Sequence, residues 1–165
     1  MKVQYLLGKT VIGPCCIATT SKGICFLEFG KTRDELLTRL KETNKSAELV
    51  PATKTVATEL KRVLSQIGTA ARTSSVRLDV RGTEFQQRVW TALRKIPPGR
   101  TVAYSDIAKT LGRPSAFRAV AKACATNCIG VLIPCHRVVS KSGKLSGYRW
   151  GVEKKRKLLA AEQAV

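Results

Sequence analysis

Short runs in which apolar positions crowd between turn signals open the chain. "VQYLLG" (3–8), "CCIATT" (15–20) and "ICFLEFG" (24–30) are rich in β-branched and aromatic residues, with a Lys22-Gly23 turn between the second and third. This pattern predicts a small antiparallel sheet. The period then lengthens: "TRDELLTRLKETN" (32–44) sets Leu36, Leu37 and Leu40 on one face behind Thr32 as N-cap. "ATKTVATELKRVLSQI" (52–67) repeats the spacing with Val56, Leu60, Val63 and Leu64 or Ile67. Two helices covering the sheet are expected.

The small polar stretch "GTAARTSS" (68–75) reads as a linker, and "VRLDVRG" (76–82) as a further strand or an extended arm. Beyond it the helical period returns. "TEFQQRVWTALRKI" carries a stripe of Phe85, Val89, Trp90, Leu93 and Ile96 and stops at Pro97-Pro98-Gly99. "TVAYSDIAKTL" (101–111) is a second short helix, Gly112 to Ser115 a turn, and "AFRAVAKACATN" (116–127) a third helix. Helix, tight turn, basic helix is a helix-turn-helix pattern. "CIGVLIPCHRVV" (128–139) reads as a buried strand interrupted by Pro134. "SKSGKLSGYRWG" (140–151) is a turn-rich loop and "EKKRKLLAAEQ" (153–163) a closing helix. The fold class expected is α/β (α+β): residues 1–75 form a small sheet with helices, and residues 76–165 a helix-turn-helix, winged-helix-like half.

Charge changes this picture most. Among 165 residues, 30 Lys and Arg face 11 Asp and Glu, leaving +19, far more than solubility requires. Such an excess points to a polyanionic partner, nucleic acid before any other. Arg113, Arg118 and Lys122 lie on or beside the third helix of the second half, and Arg118 and Lys122, four residues apart, share a face that can meet phosphates. No run of eighteen uncharged apolar residues occurs and the start lacks a secretory pattern, so an intracellular, cytoplasmic or nucleoid-associated protein without a membrane partner is expected. In such a compartment six cysteines stay reduced.

One stretch carries distinctive chemistry: "IPCHRVV" (133–139) joins a proline, a cysteine and the chain's single histidine. Cys124, Cys128, Cys135 and His136 have the residue types of a zinc site but not its paired C-x2-C spacing, so no metal is expected. A Cys-His hydrolase pair needs direct contact, which neighbours on an extended segment do not make. A third chemistry is a thiolate that accepts a group once, a base acting through water having lowered its effective pKa. Cys15, Cys16, Cys25, Cys124 and Cys128 sit in apolar surroundings and read as packing.

"IPCHRVV", with Asn127 eight positions before the cysteine and "GTEFQQRVWTALRKIPPGRTVAYSDIA" upstream, resembles the O6-alkylguanine-DNA alkyltransferases, in particular their bacterial Ada-type repair domain. The resemblance runs from about Leu78 to Glu162 and is looser over the first 75 residues. It implies that Cys135 takes an alkyl group from the guanine oxygen, that His136 is the base through a water, that Glu162 orients the imidazole, and that Asn127 ties the turn before the active-site segment. Arg118 would fill the stack left by a base flipped through the minor groove, and Tyr104 would press on its phosphate and read the base. The carbonyls of Cys135 and Val138 would accept the guanine amino group, Tyr148 would line the pocket, and the Arg149 amide would donate to the guanine oxygen. The large aromatic Trp150 predicts a narrow pocket preferring methyl. The partner implied is double-stranded DNA containing O6-alkylguanine, bound by a monomer with no cofactor. No methylphosphotriester-sensing, four-cysteine zinc domain is read ahead of the repair half, so transcriptional control by this chain is not expected. Two rivals remain: a helix-turn-helix regulator or lesion sensor, which needs no acceptor thiol, and a cysteine hydrolase, which turns over.

Overall fold

The computed structural model describes residues 1–163. The three predicted strands form as β1 (Lys2–Thr10), β2 (Gly13–Thr20) and β3 (Gly23–Phe29). Helix α1 (Arg33–Thr43) starts where Thr32 accepts the amide of Glu35, and α2 (Lys54–Ser65) where Thr53 accepts that of Val56. Between them lies an unforeseen strand, β4 (Glu48–Pro51), which pairs parallel to β1. The sheet is therefore mixed, in the order β3-β2-β1-β4, not purely antiparallel. Four residues ending at a proline are too few to show a period, and Pro51 is tolerated because β4 is an edge strand. Leu36 and Leu40 of α1 close one face over Cys16, Ala18 and Phe26, whereas Leu60, Val63 and Leu64 of α2 join Ile12, Cys15 and Ile17 on the other.

The second half contains α3 (Glu84–Leu93), β5 (Val102–Ala103), α4 (Tyr104–Thr110), α5 (Phe117–Ala125), β6 (Val138–Val139) and α6 (Val152–Gln163). Thr83 and Gln86 form a capping box at the start of α3, each satisfying an amide the helix leaves free. Helices α3, α4 and α5 pack on one another, and the Trp90 indole donates to Ala123 O at 2.9 Å, tying α3 to α5. β5 and β6 pair in parallel beside them. No helix among the described residues is long and apolar enough to cross a membrane.

The open edge of β3 joins the halves. Ile24 donates to Arg77 O at 2.9 Å and accepts from Asp79 N at 2.8 Å, so the 76–80 segment runs along that edge as an extended arm. Farther along, Leu27 donates to Cys128 O at 2.9 Å and accepts from Gly130 N at 2.8 Å. An edge that would otherwise expose unpaired amides is thereby covered. The apolar core runs without a break from Ile17, Leu27 and Phe29 to Val89, Trp90, Leu93 and Ile129. Gly130 is glycine because a Cβ there would meet the Trp150 ring at 2.7 Å. Gly130→Ala is expected to cost about 1–3 kcal/mol by overpacking, read as a lowered urea midpoint by tryptophan fluorescence; an unmoved midpoint would show that this joint tolerates slack.

Candidate active site

The apolar run before the cysteine does not form the expected strand. Val131 takes a positive φ of 66°, Leu132 N bonds Gly130 O at 2.7 Å and Cys135 N bonds Ile133 O at 2.8 Å. Each bond closes a tight turn, and Pro134 then opens a 3-10 turn over Cys135–Arg137. Cys135 and His136 are therefore not on opposite faces of an extended segment; ladder pairing resumes only at Val138. A β-branched residue at positive φ is strained by about 1–3 kcal/mol, and the packing of residues 129–139, all buried, holds it.

Cys135 faces a cavity of about 450 Å³ lined by Tyr104 from α4, Ala121, Cys124 and Ala125 from α5, and Ser146 to Arg149 from the loop before α6. Burial pushes its thiol pKa up, opposed by a hydrogen bond from Asn127 and by the charge of Lys155. Asn127 is buried; its Nδ2 donates to Ile133 O at 3.0 Å and to Cys135 Sγ at 3.3 Å, while its Oδ1 accepts Ile129 N at 2.9 Å. One amide thus shapes the turn and touches the thiol. The other cysteines are free and largely buried; burial pushes Cys15 to about 11 and Cys16 and Cys25 to about 12. Those three thiols are inert at neutral pH.

His136 Nε2 lies 2.7 Å from Glu162 Oε1. Burial opposes ionisation of Glu162, but hydrogen bonds from His136 and Arg137 outweigh it and bring the carboxyl to about 2. An ionised carboxylate only accepts, so Nε2 carries the proton and Nδ1 presents a lone pair. Nδ1 is buried and has no protein partner among the described residues. Arg137 closes the same carboxylate, with Nε at 3.1 Å from both oxygens and Nη2 at 2.7 Å from Oε1, and it donates to Ile96 O at 2.7 Å.

Of the expected DNA-facing residues, Arg113, Arg118 and Lys122 lie outside the cavity lining, whereas Tyr104 belongs to it. Arg118 and Lys122 are exposed on α5, and helical spacing sets Arg118 on the same side as Ala121 and Ala125 of the cavity wall. Arg113 lies in the turn before α5, over the Phe85 ring. Tyr104 begins α4 and lines the cavity; burial first, then the neighbouring thiols, push it to about 12. The Cys135 carbonyl accepts the Val138 amide, and the Val138 carbonyl accepts Lys155 Nζ at 2.6 Å, each retaining a second lone pair. Tyr148 lines the cavity, whereas Trp150 lies outside the lining: its ring packs behind Tyr148 at 5.2 Å and over Gly130. Its effect on pocket width is therefore indirect.

Three residues went unremarked in the sequence. Arg137 is adjacent to the histidine, and nothing in a basic chain marks it. Lys155 is fully buried amid the exposed or half-exposed Lys154, Arg156 and Lys157, and its spacing to Leu158, Leu159 and Glu162 does place it on the buried stripe of α6. Glu28, alone and charged within "ICFLEFG", is fully buried, and a charge inside an apolar strand signals a paired one.

The family model described as "6-O-methylguanine DNA methyltransferase, DNA binding domain" matches residues 84–164. "Regulatory protein ada" of Salmonella typhimurium is 44% identical over 98% of the chain and 46% of its own length, so the chain spans about half of that relative. A methylated-DNA--protein-cysteine methyltransferase of Methanosarcina barkeri is 35% identical over 98% of both chains. Among solved structures, Mycobacterium tuberculosis OGT in complex with DNA superposes with a TM-score of 0.77 at 35% identity, covering 98% of this chain and 93% of that one.

The buried trio makes stability pH-dependent in a stated direction. Burial holds His136 below its ordinary 6.5, so from that pH downward the unfolded chain binds a proton the native one resists. Glu162 resists protonation between its ordinary 4.5 and about 2. Both effects remove stability as pH falls, the first from about 6.5 and the second below 4.5. Glu162→Gln is expected to lower stability at neutral pH, since Arg137 loses its buried partner, and to flatten the decline below pH 4.5; urea midpoints across pH 2–7 check both.

Proposed function

The chain belongs to the methylated-DNA–protein-cysteine methyltransferase family, and from that premise we propose that it transfers the methyl group of O6-methylguanine in duplex DNA irreversibly to its own Cys135. The observation that carries this reading is the Cys135 sulfur facing a cavity wide enough for a base, with Asn127 on the sulfur and the His136–Glu162 pair behind it. A thiol raised by burial needs a base, and the Nδ1 lone pair of His136 is one. Adjacent residues in a 3-10 turn make no direct contact here, so a water relays the proton from Sγ to Nδ1. The thiolate attacks the methyl carbon, the C–O bond breaks, and its electron pair stays on the guanine oxygen, steadied by the Arg149 amide. Guanine then takes up a proton, and the Glu162 carboxylate stabilises the imidazolium formed meanwhile. Cys135 is left as a thioether, with no leaving group and no route back. Each molecule acts once.

Access requires the base to leave the duplex, at a cost of about a few kcal/mol. Arg118 fills the vacated stack, Tyr104 presses on the phosphate, and Arg113 and Lys122 hold the backbone. One copy contains every residue of this site, so the protein works as a monomer, in the intracellular compartment that holds DNA.

After incubation with a methylated duplex, the intact protein is expected to gain one methyl, on the peptide containing Cys135. Cys135→Ala should gain none and still bind DNA; linear product beyond one equivalent per protein would instead favour a hydrolase. His136→Ala is expected to slow transfer by about 10²–10⁴-fold, measured as single-turnover loss of the lesion. Arg118→Ala should slow reaction with duplex by about tenfold or more while slowing reaction with the free base far less, because only the duplex has a gap to fill.

A further inference from the structure

The cavity wall from Ser146 to Arg149 contains no helix or strand, and glycines at positive φ, Gly147 at 50° and Gly151 at 102°, flank Tyr148 and Arg149. The wall's own backbone does little to fix its position. Two buried side chains reach it from outside. Lys155 of α6 donates to Ser146 O at 3.2 Å and Gly147 O at 3.3 Å. The other comes from the N-terminal sheet: Glu28 of β3 accepts Arg149 Nη2 at 2.9 Å and the Trp150 indole at 3.5 Å.

Arg149 also donates through Nη1 to Ala125 O at 3.1 Å, in the last turn of α5. Arg39 of α1 holds the second Glu28 oxygen at 3.3 Å. A fully buried carboxylate cannot release such partners cheaply, because water does not replace them. Arg149 is therefore drawn against the sheet, Trp150 is held behind Tyr148, and the wall stays in place.

We propose that Glu28 is a positioning residue that sets the width of the alkyl pocket from the opposite half of the molecule, acting through Arg149 and through Trp150 on Tyr148. The proposal rests on reading the cavity as an alkylguanine site, and it gives the N-terminal sheet a part in substrate choice. With the carboxylate neutralised, the 146–149 wall loses its hold on the sheet and keeps only those on Lys155 and the Ala125 carbonyl. Larger groups then fit, and methyl transfer loses a preset wall.

The experiment compares rate constants for methyl and benzyl transfer from duplexes carrying O6-methylguanine or O6-benzylguanine. Glu28→Gln is expected to raise the benzyl-to-methyl ratio about tenfold, within the range that one or two carbons' worth of pocket space commands. Val3→Ala removes fully buried packing from β1, separated from β3 by β2, lowering stability without touching the wall, and should leave the ratio where it is. If Glu28→Gln does not fold, Arg149→Gln frees the same contact from its exposed end and bears the same expectation. An unchanged ratio in the folded Glu28 or Arg149 variant, or an equal rise in Val3→Ala, overturns the proposal. Wild-type protein that takes no methyl group at all would overturn the reading of the site and this one with it, so the two failures are told apart in one assay.

Discussion

A buried thiol is a poor nucleophile, and the structure around Cys135 answers that difficulty. On the proposed reading an entering base excludes water from the sulfur, yet dehydration favours the protonated form. Three groups oppose the bias: the Asn127 amide on the sulfur, the Lys155 ammonium near enough to act by charge, and the His136 lone pair. Each is itself buried and so needs partners of its own. The Ile133 carbonyl and the Ile129 amide hold Asn127, three loop and strand carbonyls hold Lys155, and Glu162 holds His136. Glu162 would in turn be a stranded anion without Arg137. The chain of dependence ends only at the backbone, at Ile96 O and Val138 O.

This explains why α6 closes the sequence of elements. It brings Lys155 and Glu162, seven residues apart and hence on one face, up behind the active-site turn. A helix charged on its solvent side is thus the brace for two of the three groups that lower the cost of ionising sulfur. The strained φ of Val131 belongs to the same economy: tight turns rather than a strand place Cys135 at the cavity and its neighbour at Glu162.

What the sequence disclosed followed from periodicity and caps. Thr32 begins α1 because a hydroxyl there accepts an otherwise unpaired amide, and the apolar stripes of α1, α2 and α3 face the core as their spacing requires. The motif around Cys135 pointed to the thiol that lines the cavity, and the resemblance it carries supplied the relayed base we propose. What escaped was tertiary. β4 is short enough to form only because β1 offers an edge, and the run before Cys135 has strand composition but folds into turns because the packing around Val131 overrides propensity. Trp150 lies in the right loop but points away from the lining, a matter of rotamer and of Gly130 that no local pattern encodes. Glu28 and Arg149, 121 positions apart, share no local signal at all.

The placement of charge follows from the same separation of tasks. The cavity lining is tyrosine, alanine, serine, glycine and thiol, with Arg149 turned aside toward Glu28, while Arg118 and Lys122 stand on the exposed side of α5. A polyanionic backbone is attracted by cations it meets in solvent, where each contact releases a counterion. A flipped base is flat and nearly neutral, and it would gain nothing from a lysine in the pocket, which would lose its hydration there. Ala121 and Ala125 leave space at the cavity on the same side of α5 that carries Arg118, so one element meets both demands. On the proposed function, the same helix grips the strand by charge and leaves room beside it for what the strand gives up.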